Sequence, residues 1–403
     1  MEEKGLMAFF EDFISKNSLF LNKQALQSSY LPETIYHRDL QVNQVANILA
    51  PCLRLERPSN LFIYGKTGTG KTLTIKHVSN NLKEVSNKNN VPLKIIYLNC
   101  KLKKVADTEY RLIAQLIREL GEEIATTGLP TDDVYKSFFN IVDKEKQLVI
   151  LILDEIDQLI KKTGDEILYN LVRINEDLKN SQIAIVGVSN DLVFVDHLDP
   201  RVRSSLSEEE LVFPPYNALQ IQDILRQRAK EAFKEDCLGE GVIEKCAAYA
   251  AREHGDARRA LELLRVAAEV AERNNLKKVG VGHIDDAEDK IEKDRVLDTI
   301  NSQPKQSKAA LYAILSLHSG KKESIFTGDI YEVYKKISSQ IGLRPLTQRR
   351  ISDIIAELDM LGIINAKLIS KGRYGRTREI SVSIPPTIVQ KTKKILEEGL
   401  ALS

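Results

Sequence analysis

Residues 65–72 read GKTGTGKT and fit the pattern G-x-x-x-x-G-K-[ST]. The spacing dictates a chemistry. Gly65, Gly68 and Gly70 let the backbone curl until its N–H groups face inward, where they meet phosphate oxygens. Lys66, Thr67 and Thr69 contribute the other amides of the curl. Lys71 adds a cation for the β- and γ-phosphates, and the Thr72 hydroxyl is a ligand for Mg²⁺. A short apolar run, LFIY at 61–64, precedes the loop and a helical pattern follows it. The positive end of that helix therefore faces the anion.

A second stretch, LVILILDE at 148–155, has the form of a buried strand that delivers two carboxylates at its end. Asp154 suits a metal ligand. Glu155 suits the residue that aligns a water, or takes its proton, for attack on a γ-phosphate. Asp157 reads as a surface or helix-cap residue. A third run ends in VGVSND and puts Asn190 at a strand tip, within reach of the same phosphate or water.

These residues need a scaffold that brings strand ends together. Aliphatic runs at 61–64, 94–98, 148–153, 183–188 and 210–213 alternate with amphipathic stretches such as 109–120 and 166–178. That alternation predicts an α/β domain, a parallel sheet covered on both faces, over 1–215. After Pro214-Pro215 the strand pattern stops, and three helical periodicities predict an all-helical section over 216–300. NSQPKQSK at 301–308 reads as a linker into a third domain, 301–403, with the order helix, helix, helix, strand, hairpin, strand and a final helix.

Composition narrows the class. The 403 residues carry a formal charge of only +1. Lys305–Ser403, however, holds 17 Lys and Arg against 9 Asp and Glu, which leaves the remainder acidic. A basic C-terminal domain on an acidic body predicts that this domain alone meets a polyanion. The longest aliphatic run is too short to span a bilayer, so no membrane role is expected. Four cysteines without a C-x-x-C pair argue against a structural zinc.

The basic domain has its own pattern. In LTQRRISDIIAELDMLGII (346–364), Ile351, Ile354, Ile355, Leu358 and Leu361 form one helical stripe, and Gly362 is placed to stop the helix. Gln348, Arg349 and Arg350 lie at its start. Two strands follow, with Ile380, Val382 and Ile384 facing in, and KGRYGR lies between them. Three helices and a basic β-ribbon predict a winged helix. Gln348, Arg349 and Arg350 would enter a major groove, while Lys371, Arg373, Tyr374 and Arg376 would grip phosphates.

Taken together, the glycine loop, the DE-ended strand, Asn190 and the helical section resemble an AAA+ ATPase: a P-loop parallel-sheet base with an all-helical lid. GDARRALELLR (255–265) is similar to that family's second sensor, which implies Arg258 as a γ-phosphate contact. With the C-terminal winged helix, the chain resembles archaeal replication initiators related to the eukaryotic origin recognition complex and its cell-division-control partner. The resemblance implies Tyr36, His37 and Arg38 beside the adenine, and an extra helix in 127–139 that touches DNA. It also implies ATP/ADP and Mg²⁺ as cofactors, double-stranded origin DNA, the replicative helicase and paralogous initiator subunits as partners, and a cytoplasmic, nucleoid-associated site of action. Where relatives carry RVxSR, this chain has Arg201-Val202-Arg203-Ser204-Ser205. Serine in the last place leaves Arg201 as a residue acting across subunits or a brace within the domain, and implies slow hydrolysis. A nucleotide-gated transcription regulator and a clamp-loader-like ATPase stand as alternatives. Replacing Arg373 and Arg376 together by Ala is expected to lower the slope of log affinity against log salt by about two units for a duplex probe. An unchanged slope places the hairpin tip off the DNA.

Overall fold

Five aliphatic segments pair in parallel, in the order β2-β3-β4-β1-β5. They are β1 (Asn60–Tyr64), β2 (Leu93–Asn99), β3 (Leu148–Asp154), β4 (Gln182–Ser189) and β5 (Glu208–Val212). The computed structural model describes residues 18–101, 107–125, 128–206, 208–319, 325–370 and 376–402. The three central strands are buried along almost their whole length, which is why they read as unbroken apolar runs. The edge strands β2 and β5 are only partly covered, and β5 opens on three glutamates.

Helices cover both faces. Ahead of β1 lies α1 (Asp39–Leu49), and α2 (Lys71–Lys88) leaves the glycine loop. Between β2 and β3 run α3 (Glu109–Glu119) and α4 (Thr131–Val142), packed on each other. The second of these is the extra helix expected in 127–139. It seats Val134, Phe138 and Val142 in the core, and exposed Lys136 pairs with its own Asp133 at 3.5 Å. After β3 come α5 (Ile156–Thr163) and α6 (Glu166–Arg173), and α7 (Pro200–Leu206) precedes β5.

Three helices follow the sheet: α8 (Ala218–Ala232), α9 (Val242–Arg252) and α10 (Ala257–Arg273). Asn217 and Gln220 close a reciprocal capping box on α8, which fixes where the helical section begins. The next helix, α11 (Val281–Asn301), contains the boundary between two compact units, Met1–Ile284 and Asp285–Ser403. The break between these units therefore falls inside a helix. The stretch 301–308 is a helix-to-helix corner rather than a linker, because α12 (Lys305–Ser319) already starts at Lys305. A polar surface helix and a polar linker have the same composition, and only the packing of α12 separates them.

The second unit continues with β6 (Ile325–Phe326), α13 (Thr327–Gln340), α14 (Gln348–Met360), β7 (Ile364–Ser370), β8 (Arg376–Val382) and α15 (Pro386–Leu400). Its antiparallel sheet has the order β6-β8-β7. This is a winged-helix arrangement. The two-residue β6 has no sequence signature, because it is defined by the pairing of Ile325 with Ile380 and of Phe326 with Glu379. Ile351, Ile354, Ile355 and Leu358 of α14 are buried as the stripe predicts. Leu361 is not; it caps the helix and is 47% exposed. Gly362 takes φ +70°, and the N–H of Ile363 closes on the Leu358 carbonyl at 3.1 Å, so the helix stops there. Among the described residues no helix is long and apolar enough to cross a membrane. Ile355→Ala is expected to cost about 2–5 kcal/mol of unfolding free energy, read as a lower urea midpoint for the α14 unit.

Candidate nucleotide site

The parallel register sets strand ends side by side. Asn99 pairs with Asp154, Asp154 with Val188 and Tyr64 with Ser189. The glycine loop after Tyr64, the carboxylates after β3 and Asn190 after β4 therefore emerge at one edge.

Lys71 is the centre of that edge. Its side chain is buried, and its ammonium donates to the carbonyls of Gly65 at 2.6 Å and Lys66 at 2.7 Å, and to Asn190 Oδ1 at 2.9 Å. Burial and, next, the Arg258 guanidinium pull its pKa down to about 8, while Asp154, Asp157 and Asp256 act against them. Asp157, expected at the surface, is buried instead. Its carboxylate accepts from the Ser189 hydroxyl and the Asn190 N–H, each at 3.5 Å. It thus helps hold Asn190 toward Lys71. Its position in the first turn of α5 brings it to Ser189 and Asn190, a fact that spacing alone does not reveal.

Thr72 Oγ1 donates to Asp154 Oδ2 at 2.9 Å, and the Tyr97 hydroxyl reaches the same oxygen at 2.5 Å. Glu155 follows with φ +55° and lies 3.7 Å from the Lys101 ammonium. This left-handed turn ends the strand and separates the directions of the two carboxylates.

The helical section meets the loop directly. Asp256 caps α10, accepting from the N–H groups of Arg258 and Arg259, and the Ala257 N–H bonds the Gly68 carbonyl at 3.3 Å. Gly68, at φ +73°, has no room for a side chain, since a Cβ would sit 1.7 Å from Asp256 Oδ1 and 2.8 Å from its Cα. Arg258 lines the cavity beside the loop, whereas Arg259 turns away to Glu253 at 3.3 Å.

That cavity measures about 530 Å³. Gly68, Gly70 and Thr72 form one wall, Ile224, Arg228, Arg258 and Leu261 another, and the stretch Gln27–Tyr36 a third. Tyr36 lines it as expected. His37 and Arg38 are absent from its lining: His37 bonds Asp223 at 3.1 Å, and Arg38 is buried behind the loop. The Arg38 guanidinium donates to the carbonyls of Thr69 at 2.9 Å and Pro214 at 2.5 Å, and stacks 3.8 Å from the Tyr216 ring. In this structure Arg38 braces the phosphate loop rather than flanking a base. Arg228 carries no sequence signal, whereas Tyr30 and Leu31 open the stretch 30–49 that resembles the family's nucleotide-base segment. Strand-like pairing of Leu21 with Ala232 and of Lys234 with Leu19, with Phe20 stacked on Phe233, ties the N-terminal chain to α8 and makes it a wall. Arg228 leans on the Tyr30 ring, and its Nη1 is buried without a partner among the described residues.

Comparison with known proteins agrees with this geometry. Family models match as an AAA domain over residues 54–193, a Cdc6 AAA+ ATPase-type lid domain over 222–289 and a CDC6 C-terminal winged-helix domain over 298–392. The ORC1-type DNA replication protein of Thermococcus onnurineus is 53% identical over 390 residues, 96% of this chain and 93% of the relative. The chain belongs to the ORC1-type DNA replication protein family. The ORC1-type DNA replication protein 1 of Methanosarcina mazei is 50% identical and spans 100% of this chain and 96% of its own. The solved structure of the Aeropyrum pernix ORC1 protein in complex with DNA superposes with a TM-score of 0.83 at 42% identity, covering 95% of this chain and 98% of that one. The AAA+ base, helical lid and winged helix of an ORC1-type protein are thus all present.

The remaining expected residues lie elsewhere. Arg201 is 82% exposed and pairs with Asp199, two residues before it, at 3.1 Å. It braces no other element through that contact. In the winged helix Gln348 and Arg349 are exposed at the start of α14, while Arg350 turns along the helix to Asp353 and Glu357, each at 3.6 Å. Lys371, Arg373 and Tyr374 lie outside the described residues; Arg376 opens β8. Gly68→Ala is expected to push the start of α10 off the loop. Fluorescent ADP binding should weaken by about tenfold or more, with far-ultraviolet circular dichroism unchanged.

Proposed function

We propose that this protein is an ATP-dependent replication initiator that grips double-stranded origin DNA and uses ATP hydrolysis as a slow switch. One observation carries the nucleotide half: at the same strand edge the Lys71 ammonium bonds Asn190 and the Thr72 hydroxyl bonds Asp154, and Thr72 lines the cavity. The residues fit a nucleoside triphosphate with one divalent cation. Glycines too crowded for a Cβ expose the loop backbone, Lys71 and Arg258 supply positive charge, and Thr72 with Asp154 supplies hard oxygen donors.

Gly65 to Thr72 would hold the phosphates, and Tyr36, Leu31, Ile224 and Leu261 would enclose the base. When bound, ATP supplies the phosphoryl group and Mg²⁺ neutralises charge on it. Lys71 would then exchange its loop carbonyls for phosphate oxygens, and an anion there raises its pKa again. Glu155 would orient a water and take its proton, Asn190 would steady that water, and Arg258 would report the state of the γ-phosphate to the lid.

DNA binding rests on the exposed Gln348 and Arg349, on the basic composition of residues 305–403, and on the DNA-bound relative of 42% identity. Lys371, Arg373, Tyr374 and Arg376 would add phosphate contacts. Arg350, drawn to two acids, contributes least. Family membership supports action on chromosomal DNA, assembly with paralogous initiators and recruitment of a replicative helicase. The slow rate follows from serine at 205, with exposed Arg201 as the arginine available to a neighbouring subunit. Glu155→Gln is expected to abolish single-turnover ATP hydrolysis while leaving ATP binding within about twofold. Hydrolysis that persists in this variant would remove Glu155 from the chemistry.

A further inference from the structure

Asp154 receives three donors. Thr72 and Tyr97 share Oδ2 at 2.9 and 2.5 Å, and the Glu155 N–H meets Oδ1 at 3.0 Å. Thr72 and Glu155 belong to sequence motifs. Tyr97 belongs to none; it lies on the edge strand β2, two residues before the strand ends.

The direction of its proton follows from the acceptor: the Tyr97 hydroxyl donates to the Asp154 carboxylate oxygen. The Lys76 ammonium sits 4.4 Å over the ring and holds its plane. The Tyr97 and Thr72 hydroxyls thus converge on the same Asp154 oxygen.

We propose that Tyr97 is a positioning residue for the cation site. Its hydroxyl locks the Asp154 carboxylate in the orientation that also accepts the Thr72 proton. A Thr72 lone pair is then turned outward for a divalent cation. The proposal rests on the nucleotide reading above. Outer partners of metal-site carboxylates typically set affinity within a factor of about 10–100, and Tyr97 acts in that way through Asp154.

The full chain, freed of nucleotide, is titrated with a fluorescent ADP analogue in EDTA and across a Mg²⁺ series. Tyr97→Phe keeps the ring and its contact with Lys76. It is expected to bind the analogue in EDTA as the parent does, with the same melting temperature. Its half-saturating Mg²⁺ should rise about tenfold or more. Tyr97→Leu should show the same rise together with a lower melting temperature. A Tyr97→Phe protein with the parent's Mg²⁺ midpoint overturns the proposal and leaves Tyr97 a packing residue. If the parent binds no analogue with or without Mg²⁺, the nucleotide reading itself falls, and the role of Tyr97 with it.

Discussion

A buried ammonium must find acceptors, and the base domain is arranged around that demand. Taking Lys71 out of water without partners would cost far more than the fold can absorb. Two carbonyls of its own loop and the amide oxygen of Asn190 satisfy it. These bonds fix the curl of residues 65–70 and join the end of β1 to the end of β4. Asp157 then holds the Asn190 backbone from below. A buried cation and a structural cross-link are thus the same atom.

The lid is built onto this loop rather than hung beside it. Gly68 lacks a side chain because the cap of α10 occupies the space, so the position of Arg258 is tied to the loop through one close backbone approach. Arg38 and Tyr216 clamp the loop from the other side. Packing at this density passes small shifts on instead of absorbing them. A change at the phosphate loop is therefore felt at α10. The N-terminal chain extends the same unit through its pairing with the end of α8.

The legible parts of this protein are those that local chemistry enforces. The three central strands had to be apolar because both faces are covered, and their positions follow from that. GKTGTGKT and LVILILDE carry their roles in residue type and spacing. The stripe of α14 and the stop at Gly362 are equally local. The less legible parts depend on partners far away in sequence. Arg38 and Asp157 each read as something else, a base contact and a surface acid, until Thr69, Pro214 and Asn190 are brought to them. Leu361 fits a helical period but falls just past the last turn that the core covers. The break between units lies within α11 because a helix can pass from one core to the next without any change in composition.

The amino-acid sequence by itself determined the glycine loop, the two carboxylates at the end of β3, the order of sheet, helical section and winged helix, and the excess of positive charge at the C-terminal end. These are matters of residue type at short spacing, and backbone geometry converts them directly into structure. Tertiary structure alone decided what Lys71 is bonded to, that Tyr97 stands behind Asp154, that Arg228 leans on Tyr30 and that Arg38 braces the loop. Such pairings join segments tens to hundreds of residues apart. Their energy comes from burying polar groups together, and no local pattern records which partner will be there.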